Sequence, residues 1–292
     1  MLDIGVQDTG PDGAGWALSN RGVDVPHRSG GELVKVWTIR GAPHVYLRDS
    51  LRSVAAAVEP FSDADAGKRI FDAAKPLKAA GISNFEALDA VAAAMRSVVT
   101  RPMGKGEVST ALTALMDPPY LRFCRPCNTT HLYEMPFRLA ALRAGLELEA
   151  GTSPPVLRRV PGFERAARTP ERYDVVRACL RLLGPATPKL VAEYLDARVK
   201  DVTARWPDDV VDDPARAKAL WPILGRPGAV LIDGEIAGWW RPRKLGKHFR
   251  VHIQLWDTIA ASTRGAISEQ AERLAAYRQV PLAGIDLDGG PT

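Results

Sequence analysis

Tyr173-Asp-Val-Val-Arg-Ala-Cys-Leu-Arg-Leu-Leu183 carries apolar residues at Val175, Val176, Cys179, Leu180 and Leu183, the spacing of one helix face. Gly184-Pro185 stops that helix. Thr187-Pro188 then offers an N-cap with proline at the first helical position, and Leu190, Val191, Tyr194 and Leu195 form the next apolar face. A third segment, about Val199 to Trp206, places Val199, Val202 and Trp206 in helical register. Farther on, Ala229-Val-Leu-Ile-Asp-Gly-Glu-Ile-Ala-Gly-Trp-Trp240 reads as strand, Asp233-Gly234 turn and strand. Three helices followed by a hairpin is the element order of a winged helix.

The ten residues after that hairpin are strongly basic. Arg241-Pro-Arg-Lys-Leu-Gly-Lys-His-Phe-Arg250 holds five Lys or Arg, one His and no acid, and Val251 to Trp256 resumes strand-like alternation. A basic tip broken by Gly and Pro can approach a phosphate backbone, and each phosphate it neutralises releases counterions. Charged residues also keep a hairpin tip soluble. The helix order and the charge together favour contact with nucleic acid. The expected DNA-contacting residues are Arg241, Arg243, Lys244, Lys247, His248 and Arg250.

Composition agrees with such a partner. The chain has 292 residues, a formal net charge of +5 and 46% hydrophobic residues, so it can bury a sizeable core in more than one module. No apolar run is long enough to cross a membrane, and the N-terminus carries no charged-then-apolar leader pattern. Three cysteines, an odd number, argue against a disulfide framework and for a reducing compartment. A cytoplasmic protein without membrane contact is expected.

Upstream, Leu33 to Arg40 alternates as a half-buried strand, Gly41-Ala-Pro-His44 breaks it, and Val45 to Leu47 is extended again. Ser62-Asp-Ala-Asp65 starts a helix. Ser83-Asn-Phe-Glu86 is a capping box for another that reaches Val98. Val108 to Met116 and Glu134 to Ala144 are helical and make a second candidate helix-turn-helix. An irregular connector follows, with Arg158, Arg159, Arg165, Arg168 and Arg172 as a second basic stretch. Ser268 to Tyr277 is an amphipathic helix, and Asp286 to Thr292 is expected to fray.

Three groups of residues could carry chemistry. Cys124-Arg-Pro-Cys127 with His131 offers zinc two thiolates and an imidazole, but no fourth ligand follows at finger spacing. Buried thiols capping a turn are the alternative, and no metal is expected. His44 ends a strand, where it could polarise a water, bind a phosphate, or tie the turn together. In Gln7-Asp8, an amide can orient a water through donor and acceptor together, and a carboxylate can take its proton; an Asx turn into Gly10-Pro11 explains the same residues. There is no Walker loop, dinucleotide glycine pattern or Ser-His-Asp order.

Leu2-Asp-Ile-Gly-Val-Gln-Asp-Thr9 together with Trp37-Thr-Ile-Arg-Gly-Ala-Pro-His44 resembles the paired signature of the winged-helix proteins that include the AlkZ-type DNA glycosylases. Cys124 to His131, Leu183-Gly-Pro-Ala-Thr-Pro188 and Val230 to Arg241 agree with it, so the resemblance runs from Gly5 to about Tyr277. It implies an α+β, mainly helical fold: tandem winged-helix (helix-turn-helix) modules with a C-terminal β-rich part that build a basic surface for double-stranded DNA. The modules would be a first one over 1–100, N-terminally short, a second with its connector over 101–170, and a third with basic hairpin and C-terminal helix over 171–292. It further implies hydrolysis of the N-glycosidic bond of N7-alkylated purines. A Gln-x-Gln or Gln-x-Asp motif places the water, no cofactor takes part, and a monomer is expected. The site residues implied are Gln7, Asp8, Thr9 and His44, with Arg40 beside them on the DNA-binding side. Thr9 stands where the motif's second amide or carboxylate is expected. A non-catalytic winged-helix DNA-binding protein or transcriptional regulator is the alternative. Replacing Arg243, Lys244 and Lys247 with alanine is expected to weaken duplex binding and flatten its salt dependence by about one counterion per lost contact. An unchanged slope in a salt titration would place the tip away from DNA.

Overall fold

The computed structural model describes residues 3–10, 13–20, 23, 31–183, 186–208, 214–220, 222, 227–233 and 235–289. The Gly184-Pro185 stop, Gly234 of the expected turn and residues 290–292 of the tail lie outside them. The chain divides into two compact units, Met1–Ala178 with Ala192–Trp206, and Cys179–Val191 with Pro207–Thr292.

The first unit opens with β1 (Val6–Gln7), α1 (Gly15–Asn20), β2 (Leu33–Trp37) and β3 (Pro43–Leu47). The alternation expected from Leu33 holds to Trp37, with Val34 and Val36 buried. It ends there, short of Arg40, because the chain reverses through the 3-10 turn Ile39–Gly41, where Arg40 has φ 58 and Gly41 φ 63. Helices α2 (Leu51–Ala57), α3 (Asp63–Arg69), α4 (Ala74–Ala79) and α5 (Asn84–Val98) follow. The caps are those the sequence signals: the Ser62 hydroxyl accepts from Asp65 N at 3.1 Å, and Ser83 and Glu86 close a capping box.

Next come β4 (Met103–Gly104), α6 (Lys105–Leu115), β5 (Leu121–Cys124), β6 (Thr129–Leu132), α7 (Glu134–Arg143), β7 (Leu146–Leu148) and β8 (Val156–Arg159). The connector expected to be irregular thus contributes strands. They complete a six-stranded sheet in the order β1-β3-β2-β7-β8-β4, with every neighbouring pair antiparallel. The core between this sheet and the helices is built on Trp37, Leu77, Leu88, Val91, Met95 and Phe137. Trp37 and Phe137 meet edge to face at 5.9 Å.

Helices α8 (Val175–Leu183), α9 (Pro188–Leu195) and α10 (Val199–Thr203) realise the three expected segments, the third ending before Trp206. Within the first unit, α10 is tied to α3 by a buried charge. Asp65 is fully buried and accepts from Arg69 at 2.7 Å, Phe61 N at 2.9 Å and Arg198 N at 2.7 Å. Three donors compensate the desolvation that would otherwise expel a carboxylate from a core.

The second unit includes α11 (Pro214–Leu220), β9 (Gly228–Ile232), β10 (Glu235–Leu245), β11 (His248–Leu255), α12 (Ala261–Arg278) and β12 (Leu282–Gly289). The sheet order is β12-β11-β10-β9. The first three strands in sequence form an antiparallel meander, while β12 runs parallel to β11. Parallel neighbours need a long crossover, and α12 supplies it. The tail expected to fray is therefore a strand as far as Gly289. Ile285 and Leu287 alternate with Asp286 and Asp288, and hydrogen bonds to β11 hold them.

Arg69→Met leaves Asp65 buried without its cation and is expected to destabilise the first unit by about 3–5 kcal/mol. Urea unfolding measures this, and a loss below about 1 kcal/mol would remove the pair from the link between α3 and α10.

Candidate functional site

Gln7 is positioned by backbone pairing. β1 lies antiparallel on β3, with Val6 opposite Val45 and Gln7 opposite His44, and Asp8 N donates to Pro43 O at 2.8 Å. Beneath it, the buried Tyr46 hydroxyl donates to Ile4 O at 3.1 Å and lies 3.0 Å from the Thr38 hydroxyl. Gly5 crosses the Tyr46 ring at φ 72, where a β-carbon would stand 2.4 Å from a ring atom. Only glycine can take this backbone conformation at so close an approach.

Arg40 fixes the direction of the Gln7 amide. Its Nη2 donates to Gln7 Oε1 at 2.6 Å, and Gln7 Nε2 donates to Thr9 Oγ1 at 2.7 Å. A guanidinium has donors only, so the amide atom facing it must be the oxygen. Arg40 is held in turn: Nη1 donates to Tyr194 O at 2.8 Å, and the guanidinium lies 4.7 Å from the centre of the Tyr194 ring. The left-handed backbone of Arg40 and the partner Tyr194, 154 positions away, cannot be read from local sequence. Arg40 was expected on the DNA-binding side within the Trp37 to His44 signature, and Tyr194 only as part of the α9 apolar face; the structure joins them and turns Arg40 to Gln7.

Strand alternation separates Asp8 from its neighbours. Gln7 and Thr9 point to one side, whereas Asp8 accepts from Ala14 N at 2.8 Å and faces Lys35 at 3.4 Å. Both carboxylate oxygens are thus engaged in holding the turn and the β2 edge. Thr9 is exposed and Gln7 half-buried, so solvent reaches the hydrogen-bonded amide and hydroxyl; Asp8 is half-buried too, but its oxygens are committed elsewhere.

His44 has no exposed surface. Its Nδ1 lies 3.0 Å from Ala42 O and its Nε2 has no hydrogen-bond partner. Burial, with the nearby Arg40 charge adding to it and the Ala42 carbonyl opposing it, holds its pKa down to about 4. The ring is therefore neutral at pH 7. Nδ1 carries the proton donated to Ala42, which secures the turn that presents Arg40.

The basic residues of the second unit lie on strands, where a loop tip was expected. β10 and β11 continue past Trp240 to a two-residue turn, Gly246-Lys247, with Gly246 at φ 61 as such tight turns require. Pro242 lies beyond the last residue paired with β9, where β10 is an edge and its missing N–H is no loss. Arg241, Arg243, His248 and Arg250 share one face by register, Lys244 points to the other, and Lys247 sits in the turn. Arg250 is paired with Asp286 at 2.7 Å, and Arg241 lies over Trp239 at 5.6 Å. Among the described residues no carboxylate pairs with Arg243, Lys244 or Lys247, and all three are exposed.

The second basic stretch is largely used internally. Arg158 pairs with the buried Glu147 at 2.7 Å, Arg159 donates to Val99 O at 2.7 Å, Arg165 pairs with Glu59 at 2.9 Å and Arg172 with Asp3 at 3.1 Å. Elsewhere in the first unit, Cys124, Cys127 and His131 bring their ligand atoms within 4.8 Å of one another. The Cys127 backbone amide and the His131 ring, hydrogen-bonded to the Cys124 thiol, draw its pKa down to about 7. All three cysteines are free thiols.

The profile of a family described as DNA glycosylase AlkZ-like matches residues 4–213 and 207–277. Among solved structures, the Streptomyces sahachiroi DNA glycosylase AlkZ is similar in fold, with a TM-score of 0.52 and 16% identity over 98% of this chain and 91% of that one. A search of curated protein sequences gave no match. No helix among the described residues is long and apolar enough to cross a membrane.

The depressed His44 pKa links stability to pH. Folding excludes the proton that unfolded His44 binds below about 6.5, so stability is intact above that pH. It falls between 6.5 and about 4, by on the order of 3 kcal/mol in all. Urea unfolding of the wild type and His44→Asn across this window is expected to show a steeper acid loss in the wild type. Parallel curves would rule out a buried neutral imidazole.

Proposed function

The chain belongs to the AlkZ-like DNA glycosylase family, and from that membership we propose that it hydrolyses the N-glycosidic bond of alkylated purines in double-stranded DNA. The observation that carries the reading is the chain of hydrogen bonds from Arg40 through Gln7 to Thr9, which ends on an accessible hydroxyl. Because Arg40 holds the amide oxygen, Gln7 turns its NH2 toward Thr9, and Thr9 Oγ1 accepts. The second N–H of Gln7, the remaining Thr9 lone pair and the Thr9 proton are left to hold one water.

An N7-alkylated purine already carries positive charge. As the bond from C1′ to N9 breaks, its electron pair neutralises that charge, so the leaving group needs little acid assistance. The water oxygen bonds to C1′ and its proton passes to solvent. What the protein must supply is position and a polar environment. This suits a site in which Asp8, the carboxylate next to Gln7 in sequence, is engaged by Lys35 and the Ala14 amide. Thr9 takes the place of the second amide or carboxylate of the motif. Asp8 and His44 act on the site by holding its backbone.

Grip on DNA is assigned to the exposed cations Arg243, Lys244 and Lys247, which have no carboxylate partner among the described residues, with Arg241 and His248, while Arg250 is partly neutralised by Asp286. Tandem winged-helix modules over 1–100, 101–170 and 171–292, acting as a monomer, belong to the same reading and rest on the family membership; in the last of them helices α8 to α11 precede the β9–β10–β11 strands.

The test is base release from duplex DNA carrying N7-alkylguanine, measured beside DNA binding. Gln7→Ala is expected to lower release by about 100-fold or more with binding retained, and Thr9→Val to lower it by a smaller factor. Firm DNA binding without base release by the wild type would move the protein to the non-catalytic DNA-binding reading.

A further inference from the structure

We propose that Cys124, Cys127 and His131 bind one zinc ion at the tip of the β5–β6 hairpin, with the fourth coordination position open to solvent. The site is in the first unit and does not depend on the glycosylase reading.

The backbone brings the three donors together by independent routes. In the hairpin register Arg122 faces His131 and Cys124 faces Thr129. All four side chains lie on one face of the pleat, so Cys124 and His131 are diagonal neighbours across the strands. Cys127 reaches the same point from the connecting loop. That loop is closed by Asn128 N donating to Arg125 O at 3.2 Å and turned back by Asn128 at φ 49. The three ligand atoms all fall within 4.8 Å of one another. Tetrahedral zinc, with bonds of about 2.3 Å to sulfur and 2.0–2.1 Å to nitrogen, sets its ligand atoms roughly 3.4–3.8 Å apart. Small rotations at an exposed loop tip would close the difference.

The donor chemistry suits zinc. Two thiolates balance the dication, and a sulfur-rich set with one imidazole selects zinc over magnesium or calcium. The imidazole is also prepared for the role. His131 Nδ1 lies 2.8 Å from Leu132 O, where it donates, and this leaves Nε2 with its lone pair as the ligand atom. Buried thiols merely capping a turn would explain the motif, but Cys127 is exposed and Cys124 only half-buried. β5 and β6 form a separate two-stranded sheet of four residues each, outside both larger sheets. A hairpin of that size is marginal on its own, and only the Leu132 end is anchored in the core. A metal would fasten the opposite end.

The protein, reduced and saturated with Zn2+, then freed of loose metal, is expected to retain one zinc per chain. Cys127→Ser and His131→Ala are each expected to weaken zinc affinity by about 100-fold or more, beyond the loss of an outer-shell partner. Should a variant fail to fold by circular dichroism, the wild type loaded with Co2+ decides alone. A thiolate-to-cobalt charge-transfer band with tetrahedral visible bands supports the site, and their absence from the folded protein overturns it. Zinc retained equally by wild type and folded variants also overturns it. So does a reduced chain that binds no zinc but loses two hydrogens between Cys124 and Cys127 on oxidation, which would make the pair a disulfide.

Discussion

Two residues of β-pairing, Val6 and Gln7 on β3, are the constraint on which the candidate active site depends. So short a strand has little stability of its own. It is held because Tyr46 bonds Ile4 from below, Gly5 allows the backbone onto the ring, and Asp8 ties the exit to Ala14 and Lys35. The same strand β3 carries His44, whose neutral ring secures the Ala42 carbonyl behind Arg40. Gln7 and the arginine that orients it are thus fixed at the same end of β3, one by pairing opposite His44 and the other in the turn before Pro43, and the amide needs no reorganisation to present its free donor.

Charge is arranged differently in the two units. In the first, most of the basic connector answers internal carboxylates or carbonyl groups. Glu147 is 3% exposed and pairs with both Arg48 and Arg158, so its burial is matched by two cations. In the second, the cations toward the β10–β11 turn face solvent without acidic partners among the described residues, apart from Arg250. A run of arginines and a run of mixed Lys and Arg look alike in composition. Only their neighbours separate structural cations from those available to a polyanion.

Local signals in the sequence were reliable where the cause was local. The capping box at Ser83 and Glu86 and the helix it starts, the Ser62 cap, and the alternation from Leu33 to Trp37 all depend on residues within one or two turns. Signals failed where a distant partner decided. β7 and β8 are short, and their strand character comes from pairing with each other and with β2 and β4. β12 shows alternation at Ile285 and Leu287, yet its position at the chain end suggested fraying; pairing with β11 through the α12 crossover reversed that. The basic tip read as a loop because of Pro242 and Gly246, and both are accommodated, one on an edge and one in a two-residue turn.

By itself the sequence determined which residue types were available: an amide able to orient a water, a threonine in place of a second amide or acid, a set of solvent-seeking cations, and a Cys-x-x-Cys with a following histidine. The amide, the cations and the Cys-His set follow from side-chain chemistry and spacing; the place of the threonine in a motif follows from the family resemblance. It left open whether Asp8 or Thr9 stands beside Gln7, and whether His44 faces a substrate or the core. Tertiary structure decided both, because pleat alternation sends Asp8 to Lys35 and Thr9 to Gln7, and packing excludes solvent from His44. The Arg40 link to Tyr194 joins groups 154 residues apart, and contacts at that separation are created only when the chain packs.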